Sequence, residues 1–207
     1  MSLHGCTWSF HKETLELDPE GTTTVYRKSI QIPEGRPVRQ ARIAFAAGGD
    51  AALFVNGQAV ANGFDRCLCW MRPTQAAITP YMRPGANDLA LAVTAVYNFA
   101  TGVLGTISVD YEDGGTTTEE LCTGLLAKVN PPDGWQHTPC GEDWQPAKPA
   151  GKDGDPPWGT TGMAPLHIPS VPYLRRSFSA PKAVARATVY ASALGVYELH
   201  LNGQTIG

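Results

Sequence analysis

The chain has 207 residues, of which 43% are hydrophobic and 17% charged, with a formal net charge of −3. That balance suits a soluble globular protein and gives nucleic acid no basic face to bind. No apolar run is long enough for a membrane helix, so neither nucleic acid nor membrane is expected as a partner. The first residues, "MSLHGCTWSF", lack the basic and apolar blocks of a signal peptide, which places the chain in the cytoplasm as an expectation. Cys6, Cys67, Cys69, Cys122 and Cys140 form no C-x-x-C pair and read as free thiols, not as a zinc site.

In chain order, residues 26–47 read as a strand, a turn marked by Pro33 and a second strand. "AALFVNGQAV" (51–60) sets Leu53 and Val55 on one face before an Asn-Gly pair. Asn-Gly between alternating apolar arms predicts a hairpin, because a type I′ turn needs positive φ at both central residues. "GFDRCLCWMRP" (63–73) follows as a loop. Residues 76–96 hold a turn at "RPGAN" and then a strand with Leu89, Leu91 and Val93 in alternation. "YNFATG" (97–102) is a loop, and residues 102–115 are a strand ending in a turn at "EDGG". No segment sustains a 3.6-residue apolar period, so the first 130 residues read as an all-β sandwich. Residues 131–172, dense in Pro, Gly and Trp, read as an extended link held to the sandwich by Trp135, Trp144 and Trp158.

Residues 174–204 then repeat the plan of residues 26–58. Arg175 falls on Arg27, Ser177 on Ser29, Pro181 on Pro33, Gly195 on Gly49, Leu199 on Leu53 and Asn202 on Asn56. A supersecondary plan used twice predicts a second domain of the same type. The expected organisation is a sandwich over 5–130, the link over 131–172, and the first strands of a second sandwich, cut short, over 173–207. The apolar face and free edges of those last strands predict that they either dock on the first sandwich or self-associate by pairing with a second copy.

Residues 173–207, "YLRRSFSAPKAVARATVYASALGVYELHLNGQTIG", resemble the opening of the N-terminal β-sandwich domain of bacterial α-L-rhamnosidases, glycoside hydrolase family 78. The resemblance is carried by Leu174, Arg175, Phe178, Pro181, Ala187, Tyr190, Ala193, Gly195, Tyr197, Glu198, Asn202, Gly203 and Gly207. More loosely, residues 8–113 are similar to the jelly-roll, galactose-binding-like modules that precede that domain in longer members. "EDWQPA" and "PWG" look like the link between them. The resemblance implies a parent enzyme that hydrolyses terminal α-L-rhamnose with two carboxylates in a helical barrel. This stretch contains no such barrel, so it is expected to be inactive alone and no catalytic residue is assigned. It implies an accessory part that positions the barrel and binds a rhamnose-containing glycan; the alternative is a purely structural interaction module without sugar affinity.

The carboxylates fit turn service. The candidates for glycosidase chemistry are Asp50, Asp65, Asp110, Glu112, Asp113, Asp143, Asp153 and Asp155, and many of them flank Gly or Pro, where Asp hydrogen-bonds nearby backbone. There is no G-x-S-x-G elbow. A sugar site wants an aromatic plate with fork-like donors and acceptors. Asp65, Arg66, Trp70 and Arg72, with Tyr97 and Asn98 from the next loop, supply those types. The competing reading makes Trp70 core and the charges a rim. No cofactor is expected; a structural Ca²⁺ between Asp153 and Asp155 is the one metal idea, and the remaining acidic positions of an EF-hand loop are missing.

Overall fold

A computed structural model describes residues 1–63, 73–96, 98–161, 174–192 and 197–206. The chain divides into two units, Met1–His167 and Ile168–Gly207.

The first unit is built from antiparallel strands: β1 (Thr7–Phe10), β2 (Thr23–Ile32), β3 (Val38–Ala47), β4 (Asp50–Val55), β5 (Gln58–Gly63), β6 (Thr74–Ala77), β7 (Gly85–Thr94), β8 (Val103–Tyr111), β9 (Thr116–Glu120), β10 (Leu126–Val129), β11 (Gln145–Pro146) and β12 (Lys148–Lys152). One sheet runs β12-β1-β8-β3-β6, with β9 sharing the edge of β8 that β1 begins. The other runs β11-β10-β2-β7-β4-β5. The all-β sandwich read from the turn spacing is therefore the fold.

Strand alternation explains the core. Tyr26, Ile30 and Ile32 of β2 meet Ile43 and Phe45 of β3, Leu53 and Val55 of β4, Leu89, Leu91 and Val93 of β7, and Ile107 and Val109 of β8. Each such side chain, removed from water, contributes about 1.5–3 kcal/mol.

The outer faces are also covered. Small residues at Ala44 and Ala46 leave room over the first sheet for Trp8, Phe10, Leu104 and Trp158. Trp158 stacks on Trp8 at 4.3 Å, and its indole N–H donates to the Ala100 carbonyl at 3.2 Å. Gly48 and Gly102 make the slot for that ring, because a Cβ at either would lie within 2.5 Å of it. On the second sheet, Trp144 packs with Val25 and Ala90, and Trp135 meets Phe54 edge-on. Residues 131–161, rich in tryptophan, thus add strands to both sheets (β11 on β10, β12 on β1) and lay a Trp on each outer face. Arg27 fixes this cover. Its guanidinium is bonded to Asp88 at 2.6 Å, donates to the Thr138 carbonyl at 2.6 Å, and lies over the Trp144 ring.

Among its described residues, the second unit contains one hairpin, β13 (His200–Leu201) with β14 (Gln204–Thr205). Asn202 and Gly203 form its turn at φ +52° and +84°. Asn56 and Gly57 do the same between β4 and β5, at +51° and +79°. Both Asn-Gly hairpins therefore fold as the sequence predicts.

Candidate functional site

The strand registers bring several connections to one end of the sandwich. In the second sheet Asp50 faces Thr94, Ala51 faces Gly63 and Thr23 faces Thr94. In the first, Ala47 and Ser9 both face Val103, and Phe45 faces Thr74. The connection 11–22, the Gly48-Gly49 link and the connection 95–102 all lie at this end. So do Gly63 and Thr74, which bracket residues 64–72. Of the side chains proposed for sugar, Asp65, Arg66, Trp70, Arg72 and Tyr97 lie outside the described residues. Asn98 is described and exposed; its φ is +51°, and its Oδ1 accepts the Glu20 backbone N–H at 2.8 Å. Asp50, which opens β4, has its Oδ1 buried with no hydrogen-bond partner among the described residues.

Beneath this end lies a polar cluster that the scattered histidines of the sequence did not reveal. Asp18 is buried, and its Oδ2 accepts both the backbone N–H and the hydroxyl of Thr101, at 3.1 and 2.8 Å. The Thr101 hydroxyl pairs with that of Thr24 at 2.9 Å. On Asp18 Oδ1 converge His11 Nε2 at 3.2 Å and Lys12 Nζ at 3.5 Å. The imidazole also packs on Phe10, ring centroids 4.3 Å apart, and neither ring nitrogen makes a well-aligned hydrogen bond among the described residues. Tyr26 is fully buried nearby; its hydroxyl, beside Thr101 and the His11 backbone, makes no well-aligned bond either. Burial drives the Tyr26 phenol far above its ordinary range, so it stays a neutral hydroxyl.

Several other carboxylates are engaged. Asp110 meets Arg42 at 3.1 Å, and Asp143 pairs with Lys128, whose hydrogen bond holds the Asp143 carboxyl below its usual range. The Arg36 guanidinium does the same for Asp113, helped by the Gly115 N–H. Asp153 Oδ1 accepts the Thr161 N–H and hydroxyl, and Asp155 Oδ2 accepts the Lys152 N–H at 2.7 Å. The pair considered for Ca²⁺ thus serves its own turns. Among the described residues, no three His, Cys, Asp or Glu side chains gather as a metal site would require. Cys6, Cys122 and Cys140 are free thiols, pushed up in pKa first by burial.

Residues 182–207 match the family model described as the α-L-rhamnosidase N-terminal domain. Over its full length the chain is 29% identical to an α-L-rhamnosidase of Streptomyces avermitilis. The chain resembles the N-terminal region of α-L-rhamnosidases. It spans 20% of the length of that curated relative. Among solved structures, the rhamnosidase-like chain superposes on the S. avermitilis α-L-rhamnosidase complexed with L-rhamnose with a TM-score of 0.67. That match has 23% identity and covers 80% of this chain and 16% of the other. A lectin from Pleurotus ostreatus in complex with GalNAc gives a TM-score of 0.66 at 27% identity, covering 79% of this chain and 46% of the lectin. The family match over residues 182–207 agrees with the resemblance read in residues 173–207, and the two sheets of the first unit agree with the all-β fold class.

Proposed function

We propose that this chain is a non-catalytic, carbohydrate-binding accessory part of an α-L-rhamnosidase-type glycoside hydrolase, acting beside a catalytic barrel. The observation that carries the sugar-binding half is the convergence of connections at one end of the sandwich, in a fold shared with a lectin solved with GalNAc. Asp50 adds support: an unpartnered carboxylate oxygen at that end is a natural acceptor for a sugar hydroxyl. The non-catalytic half is supported by the engagement of Asp88, Asp110, Asp113, Asp143, Asp153 and Asp155 in ion pairs and turns. Glycoside hydrolysis needs two carboxylates flanking one bond. A structural role without sugar affinity is favoured by one observation, the commitment of Asn98 Oδ1 to Glu20. Pairing of the β13–β14 hairpin with a second copy belongs to the same proposal, since short exposed strands leave edges free.

Calorimetric titration with L-rhamnose and with GalNAc tests the reading. Saturable binding is expected for at least one sugar, together with no turnover of an aryl α-L-rhamnoside. Trp70→Ala and Asp50→Ala should each weaken binding while the thermal melt stays cooperative. Absence of saturable heat with either sugar overturns the binding half, and turnover that survives repurification overturns the non-catalytic half.

A further inference from the structure

The buried His11–Asp18 contact sits where the connection 11–22 is fastened to the connection 95–102. Five bonds make that fastening: Thr101 N–H and hydroxyl to Asp18, Glu20 N–H to Asn98, Gly21 N–H to the Ala95 carbonyl at 3.0 Å, and Ala95 N–H to the Thr22 carbonyl at 2.8 Å. The first two depend on Asp18 staying in place, and Asp18 is held from its other oxygen by His11 and Lys12. The His11 side chain is only 6% exposed. We propose that residues 11–20 form an acid-released clasp over this end of the sandwich, closed while His11 is neutral and wedged between Phe10 and Asp18, and opened when His11 takes a proton.

Several observations make the imidazole the weak point. A charged imidazolium would be packed on Phe10, with Asp18 Oδ1 at 3.2 Å from Nε2 but, among the described residues, no well-aligned acceptor at either nitrogen. The ionisable groups facing it are Asp18 and Lys12 from its own connection and Tyr26 from β2; Thr101 and Thr24 bring hydroxyls that do not titrate. Asp18 favours the proton, but the same oxygen is shared with Lys12, which opposes it, and Glu16 meets Lys12 and accepts the Thr14 hydroxyl. Burial outweighs Asp18, so the folded imidazole lies below its ordinary range. The sign follows. An open, solvated His11 holds a proton more readily than the closed one. The closed form therefore has its full stability above the ordinary imidazole pKa of about 6.5 and loses it as pH falls below. Leu15 and Leu17, exposed in the same connection, do not anchor it independently.

The consequence for sugar binding rests on the reading of this end as a carbohydrate site, but the clasp can be tested without sugar, so either can fail alone. Hydrogen exchange measured by mass spectrometry on the full chain, at about pH 7.5 and about pH 5 and corrected for intrinsic rates, reads the closure directly. Protection across residues 12–22 and at the Thr101 amide should fall several-fold on acidification, while β7 and β8 keep theirs. His11→Gln, which cannot charge, should remove that pH dependence. Because this variant also perturbs a buried contact, an NMR titration of the His11 imidazole in the unaltered chain gives a second reading, with loss of its packed environment expected as it protonates. Unchanged protection at the lower pH overturns the proposal. So does equal acid loss in His11→Gln, and so does an imidazole that titrates at or above its ordinary value while residues 12–22 stay protected.

Discussion

Residues 53–60 and 199–206 are nearly the same eight residues, and the two copies meet different fates. Both make a two-residue turn with positive φ at Asn and Gly. In the first unit that turn joins two six-residue strands, and β4 is paired along its whole length with β7. Leu53 and Val55 are 0% and 1% exposed. In the second unit the same turn joins strands of two residues each, and Leu201 is 43% exposed. The difference separates two kinds of information. Asn-Gly specifies the turn from within, through the backbone conformations it tolerates. Strand length and burial come from neighbours: without a β7 to extend the ladder, an isolated hairpin is marginal in water.

The sharpest way to break this comparison is to truncate the matching leucines. Leu53→Ala should cost about 2–5 kcal/mol, because the cavity opens between two sheets. Leu201→Ala, in the exposed hairpin, should change stability by less than about 0.5 kcal/mol. Urea denaturation of the full chain, followed at the cooperative transition, reads both. Similar shifts would mean that the second hairpin is covered in solution, which would favour the self-association proposal.

The turn asparagines give a smaller contrast. Asn56 Nδ2 donates to the Tyr81 carbonyl at 2.8 Å and to Asn87 Oδ1 at 2.9 Å, and its Oδ1 accepts the Asp88 N–H at 3.0 Å. Asn56→Ala leaves those partners unmet and should cost about 2–3 kcal/mol. Asn202 has no such bonds among the described residues, so Asn202→Ala should cost only the left-handed backbone preference, about 1 kcal/mol. Thermal melts of the two variants separate the turn from its anchoring.

What the sequence made legible follows the same division. Alternation at Leu89, Leu91 and Val93 was readable because a strand buries every second residue, and all three face the core. The Asn-Gly turns were readable because their cause is local. The polar cluster was not. His11 and Asp18 meet Thr101 and Tyr26 only once β1, β2 and β8 are in register, and no spacing along the chain encodes that meeting. Arg27 was aligned with Arg175 as part of a repeat, yet its role is to hold Asp88, Thr138 and Trp144, all more than sixty residues away. The pairing of β12 with β1 spans almost the whole first unit, so a Pro/Gly-rich composition masked it. For the loop residues proposed for sugar, the structure fixes the bracketing Gly63 and Thr74, and the side chains await the titration.

The smallest expected effect separates turn strain from packing. Gly57 and Gly203 hold φ of +79° and +84°, so alanine at either meets the same backbone penalty, about 1–2 kcal/mol. Only at Gly57 does a new Cβ also meet neighbours among the described residues: His137 Nδ1 at 2.6 Å and the Gln136 carbonyl at 3.0 Å, both from the 3-10 turn Trp135–His137. At Gly203 a new Cβ would meet no atom within 4 Å among the described residues beyond its chain neighbours. Gly57→Ala should therefore cost more than Gly203→Ala by about 0.5–1 kcal/mol, the range typical of coupled neighbours. His137 is exposed and can swing aside, whereas the Gln136 carbonyl belongs to the backbone. In a His137→Ala background the excess should shrink without vanishing, and urea midpoints of the four variants close that cycle. An excess that does not change would assign the cost to the Gln136 carbonyl alone. No excess at all would mean that residues 135–137 yield freely over the first hairpin, and that the two turns differ less than their surroundings suggest.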